Sequence, residues 1–163
     1  MTISVEKSKN PKQKPASEHL VFGSTFSDHM FVCDYAPDKG WHNSRIIPYQ
    51  NLPISPALMT FHYGQSIFEG LKAYKTTDKK VNLFRPLENI RRLNTSCQRL
   101  CIPTIDEALG VEAIRKLVDI DRDWVPEEPD TSLYIRPFVF ATDPYLGVRP
   151  SDTYSFVIIT GPV

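Results

Sequence analysis

The sequence predicts an α+β domain of two layers, a mainly antiparallel sheet packed against two helices. Two observations carry that prediction. Runs rich in β-branched and aromatic residues, "HMFVCDYAP" (29–37), "SLYIRPFVFA" (132–141) and "TYSFVIIT" (153–160), read as strands. Between the first run and the other two lie a pair of segments with helical periodicity. Strands, then helices, then strands, with no internal repeat, is the pattern of a two-layer α+β domain.

The elements follow in chain order. Residues 1–19, "MTISVEKSKNPKQKPASEH", are polar and lack an apolar h-region, so they are not a secretory signal. They use lysine and carry Glu6 and Glu18, unlike a mitochondrial presequence, and are expected to form a disordered polar tail ahead of a domain at 20–163. After the strand at 29–37, "SRIIPYQN" (44–51) predicts a second, with Pro48 confining it to an edge. Two prolines open the next stretch as a loop; a helical turn is expected over 60–68 and Gly70 is expected to break it. "LKAYKT" and "KVNLFRP" flank "TDKK" as a hairpin.

The clearest helix starts at Pro86, a residue suited to a first turn. Ile90, Leu93, Cys97, Leu100 and Cys101 fall on one face, and Pro103 stops it. A second helix begins near Thr104–Asp106, with either as N-cap, buries Leu109, Ala113, Ile114 and Leu117, and runs to about Asp121. "VPEEPD" (125–130) is a loop, and "TDPYLGVRPSD" is rich in turn residues.

Composition bounds the function. The chain has 163 residues, 41% hydrophobic and 23% charged, the balance of a globular domain with a real core. Lysine plus arginine and aspartate plus glutamate both number 19, so no basic excess points to nucleic acid or a membrane surface. No run is long enough for a transmembrane helix. Three cysteines, Cys33, Cys97 and Cys101, suit a reducing compartment, and a cytoplasmic location is expected. Cys97 and Cys101 sit one helical turn apart without a nearby His or Cys partner, which favours core packing over a metal site.

Three features carry potential chemistry. Arg85, Arg92 and Arg99 recur every seven residues and lie roughly 130–150° from the centre of the apolar face. They form either a solvated face, with Arg85–Glu88 or Glu88–Arg92 as weak surface pairs, or an anion site, because guanidinium matches phosphate and carboxylate bidentately. Tyr134 and Arg136 are two apart in a strand, hence on one face, where a hydroxyl beside a guanidinium could hold a carboxylate. "HYGQSIFEG" sets Tyr63 near Phe68, with Gly64 and Gly70 permitting close backbone approach.

Taken together, "HYGQSIFEGLKAYK", "FRPLENIRRLNTSCQRLCIP" and "SLYIRPFVFATDPYLGV", in this order, closely resemble the branched-chain amino-acid aminotransferases of fold-type IV. "LVFGSTFSDHMFVCDY" and the tryptophan of "DRDWVP" fit as well, so the likeness runs from about Leu20 to Val163. The resemblance implies a pyridoxal 5'-phosphate enzyme of amino-acid biosynthesis, working as a homodimer. It would move the amino group of leucine, isoleucine or valine to 2-oxoglutarate, giving glutamate and a branched 2-oxo acid. It further implies that Arg92 holds the cofactor phosphate and Tyr134 helps bind the substrate α-carboxylate. Arg136 would help hold the glutamate side-chain carboxylate, and Phe22 and Phe68 would line the aliphatic pocket. Tyr63, Leu146 and Val148 would reach the partner subunit's site.

The family's Schiff-base lysine and the glutamate at its pyridine nitrogen lie downstream of these motifs and have no match here; Lys72 and Lys75 stand in a different motif. The chain is therefore expected to be the N-terminal domain alone, with no catalytic residue of its own, inactive and without bound cofactor. Two alternatives stay open: a non-catalytic binding or assembly module, or half of another fold-type IV enzyme such as a D-amino-acid aminotransferase or aminodeoxychorismate lyase.

Overall fold

One sheet of eight strands organises the molecule. The computed structural model describes residues 2–163. Its strands are β1 (Ser4–Val5), β2 (His29–Ala36), β3 (Gly40–Pro48), β4 (Ser66–Phe68), β5 (Leu71–Lys75), β6 (Val81–Leu83), β7 (Leu133–Ala141) and β8 (Tyr154–Pro162). They run in the order β1-β3-β2-β8-β7-β5-β6, with β4 pairing β7 as well. β1 lies parallel to β3, and the other pairings are antiparallel. Among the described residues three α-helices, α1 (Met59–Tyr63), α2 (Pro86–Arg99) and α3 (Glu107–Ile120), complete the α+β fold, with short 3-10 turns at Ser17–His19 and Arg122–Trp124.

Strand alternation decides which side chains meet the helices. Leu133, Ile135, Val139 and Ala141 of β7 are fully buried and share one core with Ile90, Leu93 and Cys97 of α2 and Ala113, Ile114 and Leu117 of α3. The alternate residues Tyr134, Arg136 and Phe138 are half-buried on the opposite face. There a smaller apolar cluster, Met30, Val32, Leu58, Phe140 and Val157, covers only part of the sheet. β4 and β5 continue a single register along β7: Phe68 stands opposite Phe138, and Leu71 opposite Ile135.

The strands at 29–37, 132–141 and 153–160, the hairpin around "TDKK" and both long helices form as expected. Asp106, not Thr104, caps α3: its Oδ1 accepts from the Leu109 N–H at 2.8 Å. The expected disordered tail at 1–19 is corrected over its described residues, Met1 lying outside them. Ser4–Val5 pairs with β3, Ile3 is buried in the main core, and Lys12 N–H donates to Asp28 Oδ1 at 2.8 Å. Ser8 N–H donates to His29 Nε2 at 2.8 Å, while Nδ1 of that ring meets Asp121 Oδ1 at 2.6 Å. These anchors are largely backbone groups, which composition cannot register.

Three further boundaries differ. The strand expected at 44–51 begins at Gly40, and β1 covers its outer edge at Arg45 and Ile46. The helical turn ends at Gly64, which takes the left-handed conformation (φ 66°) that glycine adopts without steric cost, and Ser66–Phe68 is strand, not helix. Arg85 lies outside α2, at a positive φ of 48° in the N-cap position. The row Arg85–Arg92–Arg99 is therefore not a continuous helical stripe. Leu100 and Cys101, expected on the buried face, are exposed because α2 ends at Arg99.

Candidate active site

The open face of β7 carries a compact polar pair. Arg136 donates from Nε and Nη2 to the Tyr134 hydroxyl at 3.2 and 2.8 Å. Both lone pairs of that oxygen are thereby engaged, and its own O–H is left to donate outward. The Arg136 guanidinium lies 4.3 Å from the Phe68 ring centroid and 5.3 Å from that of Tyr134. Phe22 meets Tyr134 edge-on at 4.9 Å and 77°. Phe22, Thr25, Tyr134, Arg136, Ile159 and Gly161 line a cavity of about 200 Å³. Its lining offers a cation and a hydroxyl among aromatic and aliphatic side chains. That suits a small molecule with a carboxylate at one end and an apolar group at the other.

Gly70 makes room for this arrangement. A Cβ there would overlap the Tyr134 hydroxyl and sit 3.1 Å from its Cζ. The neighbouring residue in the chain points the other way. Glu69 is only 5% exposed and reaches the helix side, where α2 presents Asn89 and Arg92 three residues apart on one face. Arg92 donates from Nε to Glu69 Oε1 and from Nη2 to Oε2, the latter at 2.7 Å. Asn89 Nδ2 donates to Oε2 at 3.2 Å and to the Gly70 carbonyl at 3.3 Å, and Gly70 N–H donates to Oε2 at 3.3 Å. Burial raises the Glu69 carboxyl pKa; the hydrogen bonds from Arg92 and Asn89 and the Arg92 charge outweigh it and hold the group below the ordinary carboxyl range.

Arg92 is itself 67% exposed. Among the described residues its Nη1 has no partner, so one guanidinium edge is clamped by Glu69 while the other faces outward. An open, oriented guanidinium edge fits a phosphate group. The expected surface pairs of the arginine row do not form: Glu88 pairs with Arg91, which also reaches Glu107 at 3.2 Å. Arg85 and Arg99 are exposed.

Tyr134, Arg136, Phe22 and Phe68, named from sequence, thus come together on one face. Arg92 belongs to the helix side of the same sheet edge. Tyr63, Leu146 and Val148 lie outside the cavity and are exposed, Val148 at 89%. Sequence reading missed Glu69. Its signal was parity: in "SIFEGLKA" the residues Ile67, Glu69, Leu71 and Ala73 share a strand face, and an acid among three apolar core residues must find donors.

No family model matches the chain. Sequence comparison finds branched-chain-amino-acid aminotransferase 2 of Bacillus subtilis (strain 168), 57% identical over 162 residues, covering 99% of this chain and 45% of that protein. Among solved structures, the branched-chain amino acid aminotransferase from Escherichia coli is similar with a TM-score of 0.61 and 25% identity, over 83% of this chain and 40% of that one. The T.th. branched-chain amino acid aminotransferase, complexed with N-(5'-phosphopyridoxyl)-L-glutamate, gives a TM-score of 0.61 at 28% identity, over 82% and 40%. The chain spans about 45% of the length of the curated relatives it matches. Along nearly its whole length the chain is similar in sequence, and in fold, to branched-chain aminotransferases, and it corresponds to somewhat less than half the length of one.

Proposed function

We propose that this chain is the N-terminal, substrate-side domain of a pyridoxal 5'-phosphate-dependent branched-chain aminotransferase, with the segment before residue 20 built into it. The enzyme would act on leucine, isoleucine or valine with 2-oxoglutarate, in the cytoplasm. The observation that carries the reading is the Tyr134–Arg136 pair set between Phe22 and Phe68 on the open face of β7. When bound, the cofactor supplies the electron sink for transfer of the amino group. The residues of this chain bind and orient. Arg92 holds the phosphate through its free edge. The Tyr134 O–H donates to the substrate α-carboxylate, and Arg136 attracts the side-chain carboxylate of glutamate or 2-oxoglutarate. Phe22 and Phe68 exclude water around the aliphatic group. The Schiff-base lysine and the partner of the pyridine nitrogen come from a second domain, so residues 1–163 alone do not turn over substrate. In a homodimer Tyr63, Leu146 and Val148 reach across to the partner's site.

The test is steady-state kinetics of the full-length enzyme with L-leucine and 2-oxoglutarate. Arg136→Ala is expected to raise KM for 2-oxoglutarate about tenfold or more, as loss of a hydrogen bond to a charged group implies, and to raise that for leucine far less. Equal effects on both substrates would remove Arg136 from its role. Activity with D-alanine but not L-leucine would move the chain to a different fold-type IV activity.

A further inference from the structure

Glu69 is surrounded by donors only. Its two oxygens receive Arg92 Nε, Arg92 Nη2, Asn89 Nδ2 and the Gly70 N–H, and the residue is 5% exposed. Such a socket accepts an ionised carboxylate and nothing else: an amide in its place would turn an NH₂ toward at least one of these donors. The four donors come from two elements. Asn89 and Arg92 belong to α2, and Gly70 opens the segment leading into β5. Residues on either side of Glu69 meet the Tyr134–Arg136 pair: the Phe68 ring lies against the Arg136 guanidinium, and Gly70 leaves space for the Tyr134 hydroxyl.

We propose that Glu69 is a positioning residue that fixes the Arg92 guanidinium for a phosphate and sets it in register with the Tyr134–Arg136 pair. This rests on the reading of Arg92 as the phosphate ligand. An arginine that is 67% exposed would otherwise sample many rotamers, and each would have to be given up when the anion binds. The bidentate contact fixes Nε and Nη2 against Glu69 and presents the Nη1 edge before the ligand arrives. Asn89 shares the task, because it ties the same carboxylate to the Gly70 carbonyl. The spacing of "NxxR" in "FRPLENIRR" then has a physical cause: residues three apart on α2 grip one acid.

Coulomb's law alone predicts the opposite of this proposal, because an acid behind Arg92 repels an anion in front of it. The two effects differ in sign, which makes the experiment decisive. Pyridoxal phosphate and pyridoxal are titrated against the apo form of the full-length enzyme, read by cofactor absorbance, for wild type, Glu69→Gln, Arg92→Lys and the double variant. Positioning predicts that Glu69→Gln weakens pyridoxal phosphate about tenfold, the loss of one charge-assisted hydrogen bond, and leaves pyridoxal unchanged. In the Arg92→Lys background the same change should add little, since the group it orients is gone. Tighter or unchanged binding of pyridoxal phosphate by Glu69→Gln, with weaker binding by Arg92→Lys, overturns the proposal and leaves Arg92 as the phosphate ligand. No effect of Arg92→Lys overturns the underlying reading. Equal weakening of pyridoxal and pyridoxal phosphate would show a general structural role and also overturn it. Should Glu69→Gln fail to fold, Glu69→Asp, which keeps the charge and withdraws the carboxylate by one methylene, decides the same comparison: a phosphate-specific loss supports positioning, and wild-type affinity sinks it.

Discussion

A single strand, β7, serves two faces that obey different rules. Toward α2 and α3 it presents Leu133, Ile135, Val139 and Ala141, none with any exposed surface. Toward the open side it presents Tyr134 and Arg136, half-buried and joined to each other, with exposed Phe22 and Phe68 against them. On the first face side chains are chosen for volume. On the second, large aromatics stay 63% exposed, at Phe22 and at Phe68, a cost in solvation that only a ligand or a covering surface offsets. The two faces should therefore separate cleanly when mutated: stability should respond on one, ligand binding on the other.

The largest effect is expected on the covered face. Phe156 is fully buried, packed edge-on against Phe31 at 5.5 Å and near Trp41 at 6.3 Å. Phe156→Ala should cost about 3–5 kcal/mol, the transfer term plus an unfilled cavity. Urea unfolding checks it. A cost as small as that of a surface substitution would mean that the helix-covered core is not what holds the sheet.

Gly70→Ala should act on both faces, by less. The added methyl overlaps the Tyr134 hydroxyl, and the ring cannot yield freely because Phe22 and Arg136 hold it. Overpacking of this kind typically costs about 1–3 kcal/mol. It should also displace the Tyr134 hydroxyl from its place beside the substrate α-carboxylate, raising KM for the amino acid in the full-length enzyme. An unchanged KM with lowered stability would show that the hydroxyl position is not used.

Much of the covered face was legible because burial imposes periodicity. The 3.6-residue repeat of Ile90, Leu93 and Cys97 and the alternation in "SLYIRPFVFA" both follow from one-sided packing. The N-terminal segment was illegible for the converse reason. Its anchors are the N–H groups of Ser8 and Lys12 meeting His29 and Asp28, and backbone donors leave no trace in composition. The pairing of Tyr134 with Arg136 followed from strand parity. Drawing in Phe22, from a loop more than a hundred residues earlier, took the resemblance, because nothing local links the two. Gly64 hid β4: the helical turn stops there and not at Gly70, so Phe68 and Glu69 take opposite sides of an extended segment.

A pH series sharpens the comparison at the boundary between the faces. The Glu69 pKa lies below its ordinary value of 4.5, with Arg92 and Asn89 outweighing the burial that raises it. The sign follows from linkage. A carboxyl more acidic when folded contributes stability that is complete above the unfolded pKa and is lost as pH falls through the folded one. Wild type should therefore lose more stability than Glu69→Gln on acidification through and below that range, read by thermal unfolding. Parallel curves for the two proteins would show that the carboxylate contributes nothing to folding.

The smallest stability change is expected at Phe68, and it is the most telling. Phe68→Ala removes an exposed ring whose contact with Arg136 is a cation–π pair near water, so unfolding should shift by no more than about 1 kcal/mol. The same change strips an apolar wall from beside the Tyr134–Arg136 pair. It should raise KM for leucine in the full-length enzyme while leaving the affinity for pyridoxal phosphate unchanged, because Arg92 is held from the other side of the strand by Glu69. A large loss of stability with unaltered KM would assign Phe68 to the core and erase the distinction between the two faces at that position. Phe156 and Phe68 are both phenylalanines on strands that pair with β7, so the contrast between them isolates burial as the variable.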